Sequence, residues 1–564
     1  MSEVIPSNDN FTTSAGRQLL LFGLLAVAGI ALLMIALSWA TSLTSSSRGA
    51  VEGIDPATKT ITLVLAEEPP QLNSTLATDQ VSGMILGHLM EGLLRYDEHS
   101  QLAPGVAERW TIDEQEATFW LRDDARWSDG QPVTAHDFVF AWRTALDQAN
   151  ASEYAFILFP VKNAEAINNG ELPVEALGVT ALDDRTLRVS LERPVAYFDK
   201  LVAFTTYFPI REDFYTATAG RYGADADTMV YNGPFALTRW VHGAHVRMEK
   251  NPYYWNHERV MIEVIDFPYV TTDPNASLNL FKDQKVAYTG LIEENLNEAL
   301  VQRWRLHRFI DGSIFFMEFN HREDRPTANY HLRKAMQLAL DPAELVYKVV
   351  KLPGYLPAES LFPIWLKGVE HNLRQEYPPP KVELDLQAAQ RHLALAKEQL
   401  GVTELQHLVL LSGDNPLSNK QSEYYQATLK KRLGLDIRID KQIFKQRLAK
   451  MTAGDFDMVL AGWGPDFDDP LTFGDLFASW NLNNRGRYAN PELDAQVRIA
   501  QSSMDPKTRM DAFGEIQRIL IEDAVVLMNY ERGVVYVTDP RLKGLVRRAV
   551  GPDPDFTHVH IQEG

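Results

Sequence analysis

Polar and apolar positions change period several times along this chain, and each change marks an element. Residues 59–70 ("KTITLVLAEEPP") alternate as a strand and stop at paired prolines, which cannot donate to a ladder. In "DQVSGMILGHLMEGLLRYD" (79–97), Val81, Met84, Ile85, Leu89 and Leu93 fall at helical spacing, predicting a helix over that stretch. Residues 118–122 ("TFWLR") return to strand alternation, and "WSDG" (127–130) reads as a turn. Thr134 with Asp137 has the spacing of a capping box, in which side chains satisfy the free N–H groups of a helix start. The buried stripe of that helix is Phe138, Ala141, Trp142 and Ala145.

The two periods keep alternating downstream. "RTLRVSLERP" (185–194) and "HVRMEKNPYYW" (245–255) each read as a strand followed by a turn. A helix over 385–400 stops at Gly401, and one over 421–433 stops at Gly434 before the strand "LDIRID". A third, over 505–522, precedes the strand "AVVLMNYERGVVYV". Strand–helix alternation in the last third predicts α/β layers. One stretch stands apart: "AGWGPDFDDP" (461–470). A short apolar run over 457–461 ends in a Gly462-Trp463-Gly464-Pro465 turn, and Asp466, Asp468 and Asp469 follow. That places an aromatic and a carboxylate at a strand exit.

The most apolar segment lies near the start. Leu19 to Ala40 is 22 residues without a charge, and at a helical rise such a run covers about 33 Å, enough to cross a hydrocarbon core. A secretory apolar region is shorter, so the length favours an uncleaved anchor over 17–43, with Trp39 at the far interface. The rival is cleavage near Ser38-Trp39-Ala40. Residues 1–16 form the inner tail and 44–58 a small, polar linker. Either way the bulk of the chain is exported.

Composition narrows the partners. The 564 residues exceed one ordinary core, so two or three domains are expected. A formal net charge of −20 repels phosphate backbones and argues against nucleic acid. No cysteine is present, which excludes disulfides and thiolate chemistry and suits an oxidising compartment. The chain has no GxxxxGK[ST], HExxH or GxSxG. A calcium loop starting at Asp466 would need Gly and Glu where Leu471 and Phe477 stand. His558 and His560 share one face of a predicted strand, and two imidazoles do not make a metal site. No cofactor, metal or catalytic role is therefore expected. The 11 Trp, 20 Tyr and 26 Phe serve mainly as core, with a minority free to line a cleft.

Residues 102–143 ("LAPGVAERWTIDEQEATFWLRDDARWSDGQPVTAHDFVFAWR") resemble the signature region of the extracellular solute-binding proteins, family 5, and most closely its peptide-binding branch. "EGLL" (91–94), "NGPFALTRWVHGAHVRMEKNPYYWN" (232–256), "LRKAMQLALD" (332–341) and "FDMVLAGWGPDFDDPLTF" (456–473) follow in the family's order. The resemblance implies an α/β, two-lobed periplasmic-binding-protein clamshell of three subdomains, preceded here by one N-terminal transmembrane helix. Lobe I would comprise 59–90, 215–317 and 533–564, an inserted subdomain 91–214, and lobe II 318–532. It further implies an oligopeptide ligand, a permease pair driven by separate ATPase subunits, and a place at the periplasmic face of the inner membrane (or free in the periplasm after cleavage).

Residue by residue, the resemblance makes Asp466 the partner of the peptide α-ammonium, a role with sound physics: an ammonium leaving water needs a carboxylate in return. The plainer alternative is that Asp466 only bends the turn. Gly462 and Gly464 would offer main-chain groups to an added peptide strand beside Trp463, although Trp463 reads equally as core. Thr78, Asp79 and Gln80 correspond to a facing strand, and Asn484 and Tyr154 to further contacts. Asp468 and Asp469 read as turn and cap residues. The chain departs from the family where basic residues receive the carboxylate end of short peptides: Leu460 and Met451 stand there. Other cargo remains open, namely an opine-like amine, a nickel or other metal chelate, or an oligosaccharide, as does a tethered ligand sensor or chaperone.

Overall fold

Three sheets carry the chain, each grown from a stretch of alternating sequence. The computed structural model describes residues 52–405 and 407–562, so the charge-free run 19–40 and most of its linker lie outside the described residues. Among the described residues, no helix is long and apolar enough to cross a membrane. The first sheet has five strands in the order Ile54–Asp55, Thr60–Leu65, Val264–Val270, His245–Lys250, Phe235–Val241. Thr60–Leu65 runs parallel to Val264–Val270, burying Ile61, Leu63 and Leu65 at alternate positions.

The second sheet is antiparallel, ordered Ala107–Ile112, Glu116–Leu121, Thr186–Ser190, Val179–Asp183. Helix Ala135–Leu146 buries Phe138, Ala141, Trp142 and Ala145, the stripe its spacing predicts. Its capping box forms: the Thr134 N–H donates to Asp137 Oδ2 at 2.8 Å. Trp127 Nε1 donates to the same oxygen at 3.2 Å, tying the preceding turn to the helix start.

The third sheet has seven strands. Its spine is two 13-residue antiparallel strands, His307–Phe319 and Val526–Thr538. Tyr288–Gly290 and Leu356–Pro357 flank the latter; Met458–Trp463, Leu408–Gly413 and Ile437–Gln442 continue beyond the former. The spine's register breaks between Ile310 and Ile314. Gly312 sits in the break at φ +80°, the left-handed region. Asp311 accepts there from the Arg532 guanidinium and, at 3.0 Å, from the Ser313 N–H. On one side of the break the spine lies beside Tyr288–Gly290, next to the five-stranded sheet, where the Ala287 N–H donates to the Thr62 carbonyl at 2.8 Å. On the other side it packs against Met458–Trp463. The same two strands thus reach from the five-stranded sheet to the far strands of the seven-stranded one.

Helices Leu386–Leu400 and Pro416–Leu433 end at Gly401 and Gly434, both left-handed, as predicted. The second begins five residues earlier than its periodicity suggests, because Pro416 suits a first turn and Asn415 Oδ1 caps Ser418 N–H at 2.9 Å. The helix expected over 79–97 is only Gln80–Leu89. Leu93 has the helical period, but Gly92 lies so close to the Val202 carbonyl that an added Cβ would come within 2.8 Å. The chain turns there into the Leu94–Tyr96 strand. The run ending at Ala461 in sequence continues as strand through Trp463, since Gly462 and Trp463 pair with Phe315 and Ile314. His558 and His560 do not share a strand face: only His560–Ile561 is in a ladder, with Leu542–Lys543. No group of three or more metal-ligating side chains is found among the described residues.

Gly312→Val places a β-branched residue at positive φ, with its Cβ 2.9 Å from Ala549 Cβ and 3.0 Å from Trp365 Nε1. The backbone strain alone is expected to lower stability by about 1–3 kcal/mol, read by urea denaturation.

Candidate ligand site at the seam between the sheets

The strand Met458–Trp463 is covered along one edge by Ile314–Phe319, but on the other it pairs with Leu408–Gly413 only at Met458 and Val459. From Leu460 onward this second edge has no ladder partner among the described residues. Arg447 Nη1 donates to the Leu460 carbonyl at 2.8 Å, so that oxygen points away from the spine. The alternation of an antiparallel ladder then turns the N–H and C=O of Gly462 outward as well, and Gly462 is exposed. A Cβ at Gly462 would lie 2.7 Å from the Phe315 ring, and one at Gly464 only 1.8 Å from Gln80 Nε2. At Gly462 the ring leaves little space for a side chain, whereas at Gly464 the flexible end of Gln80 could give way; as built, the two glycines leave an unencumbered strip of backbone.

Asp466 stands where that strip ends. Its N–H donates to Thr472 Oγ1 at 2.8 Å, closing the turn, and its Oδ1 accepts from the Tyr154 hydroxyl at 3.0 Å. The carboxyl is half-buried and meets no cation among the described residues. Burial pushes it up to about 8, against the lowering hydrogen bonds of Tyr154 and Thr472. The other two acids of the motif are settled otherwise. Asp469 is buried and holds Arg509 through two bonds of 2.7 and 2.9 Å. Asp468 is exposed, and its carbonyl accepts from Lys200 Nζ.

Aromatic rings wall the carboxyl. Tyr154, buried, lies 5.3 Å from Phe204, 5.7 Å from Phe156 and 6.1 Å from Trp463 between ring centroids. Trp463 is 9% exposed, yet among the described residues its indole N–H has no hydrogen-bond partner. A buried donor left open costs about 1–3 kcal/mol, so core packing alone does not account for this residue.

Of Thr78, Asp79 and Gln80, Gln80 lies against Gly464, and the three do not form a strand. Asp79 is the N-cap of helix Gln80–Leu89, accepting from Ser82 N–H at 2.8 Å and Ser82 Oγ at 2.7 Å. Capping geometry is extended at one residue only, which is how a strand-like alignment becomes a helix start. Gln80 donates to Ser313 Oγ at 3.3 Å and accepts from Arg532 Nη2 at 3.1 Å. Thr78 Oγ1 accepts from Arg485 Nη2 at 3.4 Å, and the same nitrogen donates to Glu153 Oε2 at 2.8 Å. A cavity of about 330 Å³ opens beside Thr78, Asp79, Glu153, Lys445, Thr452 and Arg485. Asn484 is not part of this surface. It is buried, donating to the Tyr488 carbonyl at 2.7 Å and accepting from the Tyr488 N–H at 3.0 Å, and so fastens its own loop.

Three cations near the seam went unread in the sequence: Arg447, Arg485 and Arg532. Arg447 sits one helical turn before Met451, on helix Phe444–Ala453, and reaches the carbonyl of Leu460. A positive group thus occupies the neighbourhood of two positions that carry none. The i, i+4 spacing from Met451 was the available signal.

The arrangement can be set beside known proteins. The family model for bacterial extracellular solute-binding proteins, family 5 (middle region), matches residues 101–484. The oligopeptide-binding protein OppA of Bacillus subtilis is 31% identical over 503 residues, covering 87% of this chain and 91% of that protein. Among solved structures, the substrate-binding domain of an oligopeptide ABC transporter from Bacillus anthracis superposes with a TM-score of 0.86 at 33% identity, covering 90% of this chain and 99% of that one. Listeria monocytogenes OppA bound to peptide gives a TM-score of 0.84 at 31% identity, with coverage of 90% and 99%. By the extent of the family match and by these full-length likenesses, the chain belongs to the bacterial extracellular solute-binding proteins, family 5.

Proposed function

We propose that this protein captures short peptides by their free amino end, outside the cytoplasm, and delivers them to a membrane permease driven by separate ATPase subunits. One observation carries the reading: Asp466 is a half-buried carboxyl with a tyrosine partner and no cation, at the end of an open strip of strand edge. The α-ammonium of a peptide supplies the missing charge. The strip at Gly462 and Gly464 supplies main-chain hydrogen bonds, which are blind to side chains and suit varied cargo. The open Trp463 N–H suits a peptide carbonyl. Relatives named for oligopeptides and dipeptides, and a peptide-bound one, favour peptide over the other solutes of the family.

The reading divides the packing into the lobes of a clamshell: 59–90 with 215–317 and 533–564, an inserted subdomain at 91–214, and 318–532. They close about the spine strands, with the break at Gly312 as the hinge. No chemical step, cofactor or metal is required. Residues 19–40 would tether the protein to the inner membrane; a mature chain found by N-terminal sequencing to begin near residue 41 would make them a cleaved signal and the protein free in the periplasm.

Native mass spectrometry of the region from about residue 50 onward is expected to show a ladder of co-purified peptides. Asp466→Ala removes the partner of a buried ammonium, an effect of about 3–5 kcal/mol, or about two to three and a half decades of affinity by calorimetry. Equal binding of a peptide and its N-acetylated form would overturn the reading.

The raised carboxyl adds a pH signature. Burial pushes the Asp466 carboxyl up to about 8 from the ordinary 3.8, so folding holds a proton that the unfolded chain releases. Its contribution to stability is complete below about 4 and lost as pH rises through about 8; Asp466→Asn is expected to flatten that slope in thermal denaturation. An arriving ammonium restores the carboxylate, so peptide binding at pH 7 releases close to one proton. Calorimetry in buffers of different ionisation enthalpy measures it, and the release vanishes in Asp466→Asn.

A further inference from the structure

The open strip has a far end as well as the end at Asp466. Arg447 stands there, on the helix Phe444–Ala453, and its Nη1 donates to the Leu460 carbonyl at 2.8 Å. That oxygen is the first outward-facing acceptor of the edge once Leu408–Gly413 has diverged. The guanidinium therefore holds the place that the N–H of an added strand would take. From Leu460 toward the turn at Asp466 the edge is open; at Leu460 itself it is closed.

The same guanidinium is short of a partner. Arg447 is half-buried, and its Nε–H is buried with no hydrogen-bond acceptor among the described residues. Glu67 and Asp414 lie within electrostatic reach, yet neither pairs with it. The Phe444 ring of its own helix is 5.5 Å away and offers only a face. The other two arginines of the seam are satisfied by acids, Arg485 by Glu153 and Arg532 by Asp311. A cation that closes a strand edge and keeps a buried N–H open is suited to an anion arriving along that edge. A peptide brings such an anion at its carboxyl end. Extended backbone advances about 3.3 Å per residue, so Gly464 to Leu460 spans about 13 Å and three ligand residues about 10 Å. The remaining length, about 3 Å, is that of a carboxylate–guanidinium hydrogen bond.

We infer that Arg447 is a stop that sets the cargo at three residues: it closes the backbone strip at Leu460 and takes the carboxylate of a peptide whose amino end lies at Asp466. The inference rests on the assignment of Asp466 to the α-ammonium. A dipeptide leaves its carboxylate one residue short of the guanidinium. A fourth residue finds the Leu460 carbonyl already taken, leaves the edge, and carries its carboxylate past Arg447.

The test is calorimetry on the full-length protein with di-, tri- and tetra-alanine, the C-terminal amide of tri-alanine, and its N-acetyl form. Tri-alanine is expected to bind more tightly than the shorter and longer peptides, and than its own amide, by about tenfold or more. Arg447→Gln is expected to bind the acid and the amide alike and to lose the optimum at three. Equal affinities for acid and amide in the unmodified protein overturn the inference without any variant, and so does a flat length series. An amide penalty that survives Arg447→Gln overturns it too. The acetylated peptide tests the other end of the strip. If it binds as well as the free form, the Asp466 reading fails and the three-residue span with it; an intact acetyl penalty beside equal acid and amide overturns Arg447 alone. No binding by any of the peptides overturns both.

Discussion

A carboxylate removed from water must find positive charge, take up a proton, or destabilise the fold that holds it. In this protein most buried acids take the first course. Asp469 grips Arg509, Asp555 grips Arg548, Glu531 grips Arg374, and Asp311 grips Arg532. Asp466 does not, and the structure around it is arranged so that it cannot. Tyr154 offers a hydroxyl and no charge, Thr472 fixes the turn, and the Arg509 guanidinium is committed to Asp469 three residues on. The vacancy in charge is built with as much care as the ion pairs that surround it.

Holding such a group at a seam requires that both sides be rigid and brought together accurately. The two spine strands do this by running from the strand beside the five-stranded sheet to the strand that carries Trp463. At the crossing, Arg532 touches Asp311 and Gln80, and Gln80 reaches Ser313 and lies against Gly464. The Arg485–Glu153 pair spans the same seam a little further out. These contacts are polar and mostly half-buried, each made in place of a bond to water.

The backbone strip has the opposite character. Gly462 and Gly464 present amide groups without side chains, the first packed against the Phe315 ring and the second against the end of Gln80. On the proposed reading a peptide lying there is held by its main chain, and discrimination is left to the ends of the strip and to the cavity beside Arg485. A division between a permissive centre and a selective end follows from where the glycines and the acids fall.

Much of this was legible beforehand. The Thr134–Asp137 box, the stripe on its helix and the stops at Gly401 and Gly434 depend on neighbours within a turn, and periodicity and capping rules see that far. The "GWGPD" stretch, and the family resemblance it shares with 102–143, pointed to Asp466 and its glycines because an acid after a strand exit is a local feature. What stayed hidden depends on residues far apart in sequence. The helix from Gln80 stops at Leu89 because Gly92 meets the Val202 carbonyl. Thr78 to Gln80 forms a cap and not a strand, and Asn484 turns inward to its own loop, since both choices are made by hydrogen bonds that spacing does not reveal. Arg447 supplies its charge to the Leu460 carbonyl across a helix–strand contact. Sequence determined which groups were available and where each element begins; the tertiary structure decided which acids are neutralised, because a charge's partner is chosen by distance in space and by exclusion of water, and neither is written in the order of the residues.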